Sequence, residues 1–279
     1  MSKLNWFFLD GRLMLVEQKW IDRFSPGRLK GGAHSRGVFE TMRAYEEKIL
    51  LLEDHLQRLF RGLKVLKIQP LYRVEELAGL LRAVLKKNQL KNARVRLMVW
   101  KTKSQTHVSI AAIAYKPFSA SCYKKGFKAT ISKIRCPENS PTANIKSIRY
   151  EKFLQAYQAA RAKGFDEAIL FNRRGELMEA SRSNIFFVKD KVLFTPSLSC
   201  GCLNGITRQQ IIKIAHQKGI KLRQGRFSSD DLYEADEVFL TNSLMELMSL
   251  TVLGNKKIGN GGVGKIIQHL QRSYKSIRR

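Results

Sequence analysis

Four stretches of this sequence combine residue types and spacing that could do chemistry. In Asn144-Ile145-Lys146-Ser147-Ile148 a lysine follows a Pro-containing loop and lies between two isoleucines. An apolar surrounding favours its neutral, nucleophilic amine. Most lysines are solvated, so composition does not single it out. Glu179 stands between Met178 and Ala180, where a turn (Asn172 to Gly175) feeds an apolar strand. A carboxylate so placed is either paired in a structural salt bridge or working. Gly205-Ile206-Thr207-Arg208 opens an amphipathic helix, whose unsatisfied N–H groups and macrodipole favour an anion such as phosphate, with the Thr207 hydroxyl as a further donor. The same residues would also serve as an ordinary helix start. Arg58, on a helix after Glu53, could grip a phosphate bidentately. A fifth stretch, Gly259 to Lys265, spells G-x-x-x-x-G-K, but Ile266 stands where a nucleotide-binding loop needs a Ser or Thr hydroxyl for Mg²⁺. It reads as a Gly-rich turn.

The elements that must position these residues follow from periodicity. Asp10-Gly11 between LNWFFL and RLMLV marks a hairpin with a type I′ turn. After a loop rich in Gly, Pro and basic residues (Ser25 to Arg36), GVFETMRAY and KILLL predict a second hairpin around Glu46-Glu47. The period then changes to 3.6: Leu56, Leu59, Phe60, Leu63 and Leu66 share one helical face, and Leu77, Leu80, Leu81, Val84 and Leu85 repeat it. Strands ARVRLMVW and HVSIAAIAY follow. Residues 116–125, with Pro117, small residues and no periodicity, place a boundary between two domains. Beyond it strands and helices alternate without the regular repeat of a doubly wound sheet, which predicts an α/β or α+β two-domain enzyme.

The 279 residues allow one large or two ordinary domains, and 44% hydrophobic with 27% charged residues excludes a disordered or fibrous chain. Lys3, Asp10 and Arg12 interrupt any apolar run at the start, so neither a signal peptide nor a membrane span is read there, and the expected location is cytoplasmic. Four cysteines, with one C-x-C and no paired C-x-x-C, fit neither a zinc site nor a disulfide framework, so no metal is expected. The net charge is +28, and residues 77–137 contain no Asp or Glu. Such a stretch could face nucleic acid, but its basic residues are interleaved with apolar ones and no nucleic-acid motif accompanies them. A generally basic surface is the simpler account.

Taken in order, GVFETMRAY, His55-Leu-Gln-Arg58-Leu, NARVRL, Asn144-Ile-Lys146-Ser-Ile-Arg-Tyr150, Gly175-Glu-Leu-Met-Glu179-Ala-Ser-Arg-Ser-Asn184, TPSL, Gly205-Ile-Thr-Arg208, ADEVFLTNS and LMELM resemble the class IV, fold-type IV family of pyridoxal 5′-phosphate enzymes. Branched-chain and D-amino acid aminotransferases and 4-amino-4-deoxychorismate lyase belong to it. The resemblance runs from about residue 37 to residue 250. It implies a smaller N-terminal α/β domain (1–118), a linker (119–125) and a larger C-terminal, β-barrel-like domain with helices (126–279). It also implies that Lys146 bonds the cofactor and that Arg58, with Ile206 and Thr207 and a later pair, Asn242 and Ser243, holds its phosphate. Glu179 would face the pyridine nitrogen, and Tyr150 would pack beside the lysine. A homodimer is implied as well.

Two reactions on one cofactor then compete. Thr41 in F-E-T, NARVRL and T-N-S-L-M-E-L-M resemble the lyase branch. There Lys146 would remove the ring C4 proton of aminodeoxychorismate, Thr41 would protonate the departing enolpyruvyl carbon, and pyruvate and 4-aminobenzoate, a folate precursor, would be released. An aminotransferase working with 2-oxoglutarate would use the same Lys146 and a carboxylate clamp, for which Arg96 or Arg36 could serve. Substrate-side positions depart from the family pattern: Ser35-Arg36-Gly37 replaces Gly-Asp-Gly, Arg149 stands where Asn is common, and Ser249 replaces a proline. A third possibility, a basic nucleic-acid-binding protein on an inactive scaffold, is weakened by the survival of Lys146, Glu179 and Arg58.

Overall fold

The computed structural model describes residues 4–24 and 35–278. Most of the basic loop expected from Ser25 to Arg36 lies outside the described residues. The chain forms two compact units, Met1–Lys116 with Ile145–Glu151, and Pro117–Asn144 with Lys152–Arg279.

In the first unit β1 (Leu4–Leu9) and β2 (Arg12–Glu17) form the hairpin predicted from Asp10-Gly11, followed by a helical turn α1 (Gln18–Ile21). Then come β3 (Arg36–Tyr45), β4 (Lys48–Ile49), α2 (Leu52–Val65), α3 (Val74–Lys87), β5 (Asn92–Lys101) and β6 (Thr106–Ala114). The sheet has the order β2-β1-β6-β5-β3-β4. Helix α2 buries Leu56, Leu59 and Leu63, and α3 buries Leu77, Leu81, Val84 and Leu85, against Val38, Met42 and Ala44 of β3 and Val95, Leu97 and Val99 of β5. Each such leucine contributes roughly 2 kcal/mol of burial. Because strand side chains alternate, this packing turns Phe39, Thr41 and Arg43, and Arg94, Arg96 and Met98, to the opposite face. The KILLL strand is shorter than expected: Leu51 takes a left-handed conformation (φ 54°), and Leu52 already begins α2. A short apolar run reads the same as strand or helix, and here Leu52 serves the helix face that also buries Leu56.

The second unit contains α4 (Ala120–Lys125), β7 (Phe127–Cys136), α5 (Glu151–Ala162), β8 (Glu167–Asn172), β9 (Leu177–Ala180), β10 (Asn184–Lys189), β11 (Val192–Pro196), α6 (Ile206–Gln217), β12 (Leu222–Gly225), α7 (Ser229–Tyr233), β13 (Glu237–Asn242), β14 (Glu246–Leu253), β15 (Lys256–Lys257) and α8 (Lys265–Lys275). Its sheet runs β12-β11-β10-β13-β14-β7-β8-β9, with β15 on β14. Leu177 N–H donates to the Phe227 carbonyl (2.7 Å), just past β12, so the two ends of the strand order meet and the sheet curls like a barrel. Ile169, Phe171, Leu177, Ile185, Phe187, Leu240 and Met248 fill its inside.

Two differences from the expected domain limits have physical causes. Residues 119–125 are not a plain linker. The Ser119 hydroxyl accepts from Cys122 N–H (3.2 Å), capping α4, and Tyr123 donates to the Met245 carbonyl (2.8 Å) within the second unit. A six-residue helix is too short to show a period. Residues 145–151, far along the chain, return to the first unit because Phe39 N–H donates to the Lys146 carbonyl (2.9 Å) and Ile148 N–H to the Gly37 carbonyl (3.1 Å).

Candidate active site

The candidate residues divide between the two units, and each group is built within its own. In the first, the backbone bonds from Phe39 and Ile148 pin the Lys146 segment alongside β3. Lys146 Nζ lies 4.6 Å from the Phe39 ring centroid, and Tyr150 meets the same ring edge-on at 5.7 Å. Phe39 is thus the platform that brings the lysine and the tyrosine together. Gly62 lets α2 approach: a Cβ there would lie 2.8 Å from Val38 Cγ1 and 3.1 Å from Ile145 Cγ2.

On the helix side of the same strand lies a buried group that the sequence pattern did not assign. Arg58 Nε and Nη2 donate to the two oxygens of Glu40 at 2.8 and 2.6 Å, and His55 Nδ1 meets Glu40 Oε2 at 2.7 Å. Burial pushes the Glu40 carboxyl up, but the Arg58 charge and the hydrogen bonds from Arg58 and His55 outweigh it and hold the carboxyl at about 2. Burial pushes the His55 imidazole down, which Glu40 opposes and the charges of Arg58 and Lys146 reinforce. A neutral ring facing a carboxylate must donate through Nδ1–H. The signal was available: Glu40 interrupts the apolar run Val38-Phe39, as Glu179 interrupts its own strand.

The other face of the sheet carries Thr41 opposite Arg96 and Arg43 opposite Arg94. Burial and the neighbouring Arg94 charge push the Arg96 guanidinium down to about 10, with Asp22 opposing. Burial lowers Arg94 too, against Asp22 and Tyr115. Arg43 is held between Tyr45 and Tyr115, 4.8 and 4.0 Å from their ring centroids, and donates to Asn92. Arg36 does not join them. Its strand position is out of phase with Phe39 and Thr41, so it does not share their face, and its Nη2 instead donates to the Lys67 carbonyl just past the end of α2 (3.4 Å). Of the two arginines named for a carboxylate clamp, Arg96 shares the face of Thr41 and Arg36 does not.

In the second unit Glu179 is 6% exposed on β9. Asn184, the first residue of β10, donates through Nδ2 to Glu179 Oε2 (3.4 Å) and to the Leu203 carbonyl (2.7 Å). Glu167 accepts from the Ser181 hydroxyl and from Ala168 N–H (3.0 Å), pinning the turn between Glu179 and Asn184. Asn184 also adjoins the start of α6, whose N-cap, Gly205, has no side chain to cap the first turn. A Cβ on Gly205 would overlap the Asn184 amide oxygen. Ile206 and Thr207 are buried in that first turn. Helix α8, preceded by the Gly-rich turn, differs: Glu237 accepts from the N–H groups of Ile266 (3.1 Å) and Ile267 (2.9 Å), so a carboxylate of the chain already fills its N-terminus. The Asn242 Oδ1 accepts from Leu244 and Met245 N–H (3.0 and 2.9 Å) and its Nδ2 donates to the Arg182 carbonyl (3.1 Å), so its amide shapes the turn that holds Ser243.

A profile of the family "Amino-transferase class IV" matches residues 37–253. The chain belongs to this family. Among its curated relatives are the branched-chain-amino-acid aminotransferase of Pseudomonas aeruginosa, 33% identical over 95% of this chain and 90% of the relative, and the aminodeoxychorismate lyase of Bacillus subtilis, 32% identical over 96% and 93%. Among solved structures, the Escherichia coli branched-chain amino acid aminotransferase is similar with a TM-score of 0.88 at 27% identity, over 98% of this chain and 94% of that one. A second branched-chain amino acid aminotransferase, solved with pyridoxamine 5′-phosphate, is similar with a TM-score of 0.88 at 28% identity, over 100% and 96%.

Class IV aminotransferases are enzymes that use pyridoxal 5′-phosphate. Each unit carries groups that suit that cofactor: the first a half-buried amine on an aromatic platform and a largely buried guanidinium, the second a buried carboxylate and the N-terminus of α6. No helix among the described residues is long and apolar enough to cross a membrane.

Proposed function

We propose that this class IV enzyme is a 4-amino-4-deoxychorismate lyase. The observation that carries this reading is the sheet face shared by Thr41 of β3, whose Phe39 underlies Lys146, and Arg94 and Arg96 of the neighbouring β5. A branched-chain side chain asks for an apolar wall. Two partly desolvated guanidinium groups and a hydroxyl suit a substrate with two carboxylates, and aminodeoxychorismate carries one on its ring and one on its enolpyruvyl arm.

Bound to this chain, pyridoxal 5′-phosphate supplies a sink for the electrons released when a substrate C–H bond breaks. Lys146 would hold the cofactor at rest and would take the proton from the substrate's ring C4. Glu179, its carboxylate supported by Asn184, would set a negative charge against the pyridine nitrogen. Arg58, Ser243 and the first turn of α6 at Ile206 and Thr207 would hold the phosphate, while Tyr150 would brace the lysine through Phe39. Arg94 and Arg96 bind the carboxylates. As the C3–O bond breaks, Thr41 gives a proton to the enolpyruvyl methylene carbon, so that pyruvate leaves and the ring becomes 4-aminobenzoate.

The names of most of the relatives support a second reading, a branched-chain aminotransferase, in which Lys146 moves its proton within the amino acid adduct and no second donor is needed. One assay separates the two. The protein, expected to be yellow with a band that borohydride reduction removes, is given aminodeoxychorismate in one series and L- and D-amino acids with 2-oxoglutarate in another. Pyruvate and 4-aminobenzoate in the first series, absent from the Lys146→Ala variant, are the expected result. Amino transfer without pyruvate release would replace the lyase by the aminotransferase.

A further inference from the structure

Glu40, His55 and Arg58 form a deeply buried set of ionisable side chains in the first unit, with 1%, 2% and 10% of each side chain exposed. Only Arg58 has so far been given a task. We propose that Glu40 is a positioning residue for phosphate capture: it fixes the Arg58 guanidinium by gripping the Nε–Nη2 edge, and His55 in turn holds Glu40. The inference rests on the reading that Arg58 binds the cofactor phosphate.

An arginine side chain loses about 2 kcal/mol of rotamer freedom when ordered. Here both oxygens of one carboxylate already order it before any ligand arrives, at 2.8 and 2.6 Å. A phosphate therefore meets a guanidinium whose plane is set. His55 completes the arrangement, since a neutral ring donating through Nδ1–H fixes the carboxylate without adding a second positive charge. The opposite expectation is equally definite: if net charge alone governed capture, a buried carboxylate beside Arg58 would compete with the phosphate, and removing its charge would tighten binding.

Glu40→Gln tests this because it keeps the size, removes the charge and can accept only one of the two Arg58 hydrogen bonds. Apoprotein is titrated by visible absorbance with pyridoxal 5′-phosphate and, separately, with phosphate-free pyridoxal. The variant is expected to lose about tenfold in affinity for the phosphorylated compound, the usual scale of a hydrogen bond to a charged group, and less than about twofold for pyridoxal. In an Arg58→Ala background the same substitution should change neither. Tighter or unchanged binding of pyridoxal 5′-phosphate, or equal losses for both compounds, would overturn the proposal. Wild-type affinity in Arg58→Ala alone would instead remove the reading beneath it. Should Glu40→Gln fail to fold, Glu40→Asp keeps the charge but is one methylene too short to span Nε and Nη2, and the same selective loss is expected.

Discussion

Glu40 and Glu179 both stand in apolar strands, yet their surroundings assign them different work. Glu40 faces a fixed cation of its own chain, Arg58, whereas Glu179 accepts from a neutral amide, that of Asn184. In the proposed function the Glu179 charge is set against the ring nitrogen of the cofactor. Glu179→Gln is therefore expected to retain the cofactor, whose phosphate contacts are untouched, and to turn over roughly 10- to 100-fold more slowly, the worth of one charge-assisted contact. Rates at saturating cofactor, with bound cofactor quantified after alkaline release, check this; a wild-type rate would make Glu179 structural. Lys146, Glu179 and Arg58 stand out in the sequence because a charged residue inside an apolar period demands a reason. The contacts that Asn242 and Arg36 make were not legible, because a polar residue at a turn or strand end looks the same whether it serves a ligand or a backbone carbonyl. Arg94 was passed over because only the register with β3 shows that it shares a face with Arg96 and Thr41.

Among the elements, α6 and α8 make an informative pair. Both begin after a glycine, and nothing local in the sequence distinguishes their N-termini as anion sites. What sets α8 apart is Glu237, 29 residues before Ile266, whose carboxylate accepts from the N–H groups at that end. Gly205→Ala would drive a Cβ into the Asn184 amide and disturb both the α6 start and the support of Glu179. It is expected to cost about 1 to 3 kcal/mol of stability and to weaken pyridoxal 5′-phosphate binding. Gly264→Ala, whose Cβ would overlap the Glu237 carboxyl group, should lower the melting temperature without changing cofactor affinity. Equal effects of the two variants on affinity would contradict the assignment of the phosphate to α6. The helices were legible from their 3.6 period, but the Ser119-capped α4 was not, and β4 was expected longer than its two residues, because both are too brief for periodicity to outweigh composition.

For the whole molecule, a net charge of +28 acts on stability through self-repulsion. Raising NaCl from about 10 mM to about 100 mM shortens the screening length from about 30 to about 10 Å, so the melting temperature is expected to rise. A fall would mean that attractive pairs outweigh the repulsion. The path of the chain has a different kind of consequence. It passes from one unit to the other after residues 116, 144 and 151, so the peptide that bears Lys146 is written in the later part of the gene and housed by the earlier. A break after residue 116 would send the reactive amine off with a fragment lacking the Gly37 and Phe39 backbone that seats it. Neither unit can be traded for a foreign one by a single recombination event without stranding that lysine, so the two are bound to travel through evolution as one heritable piece.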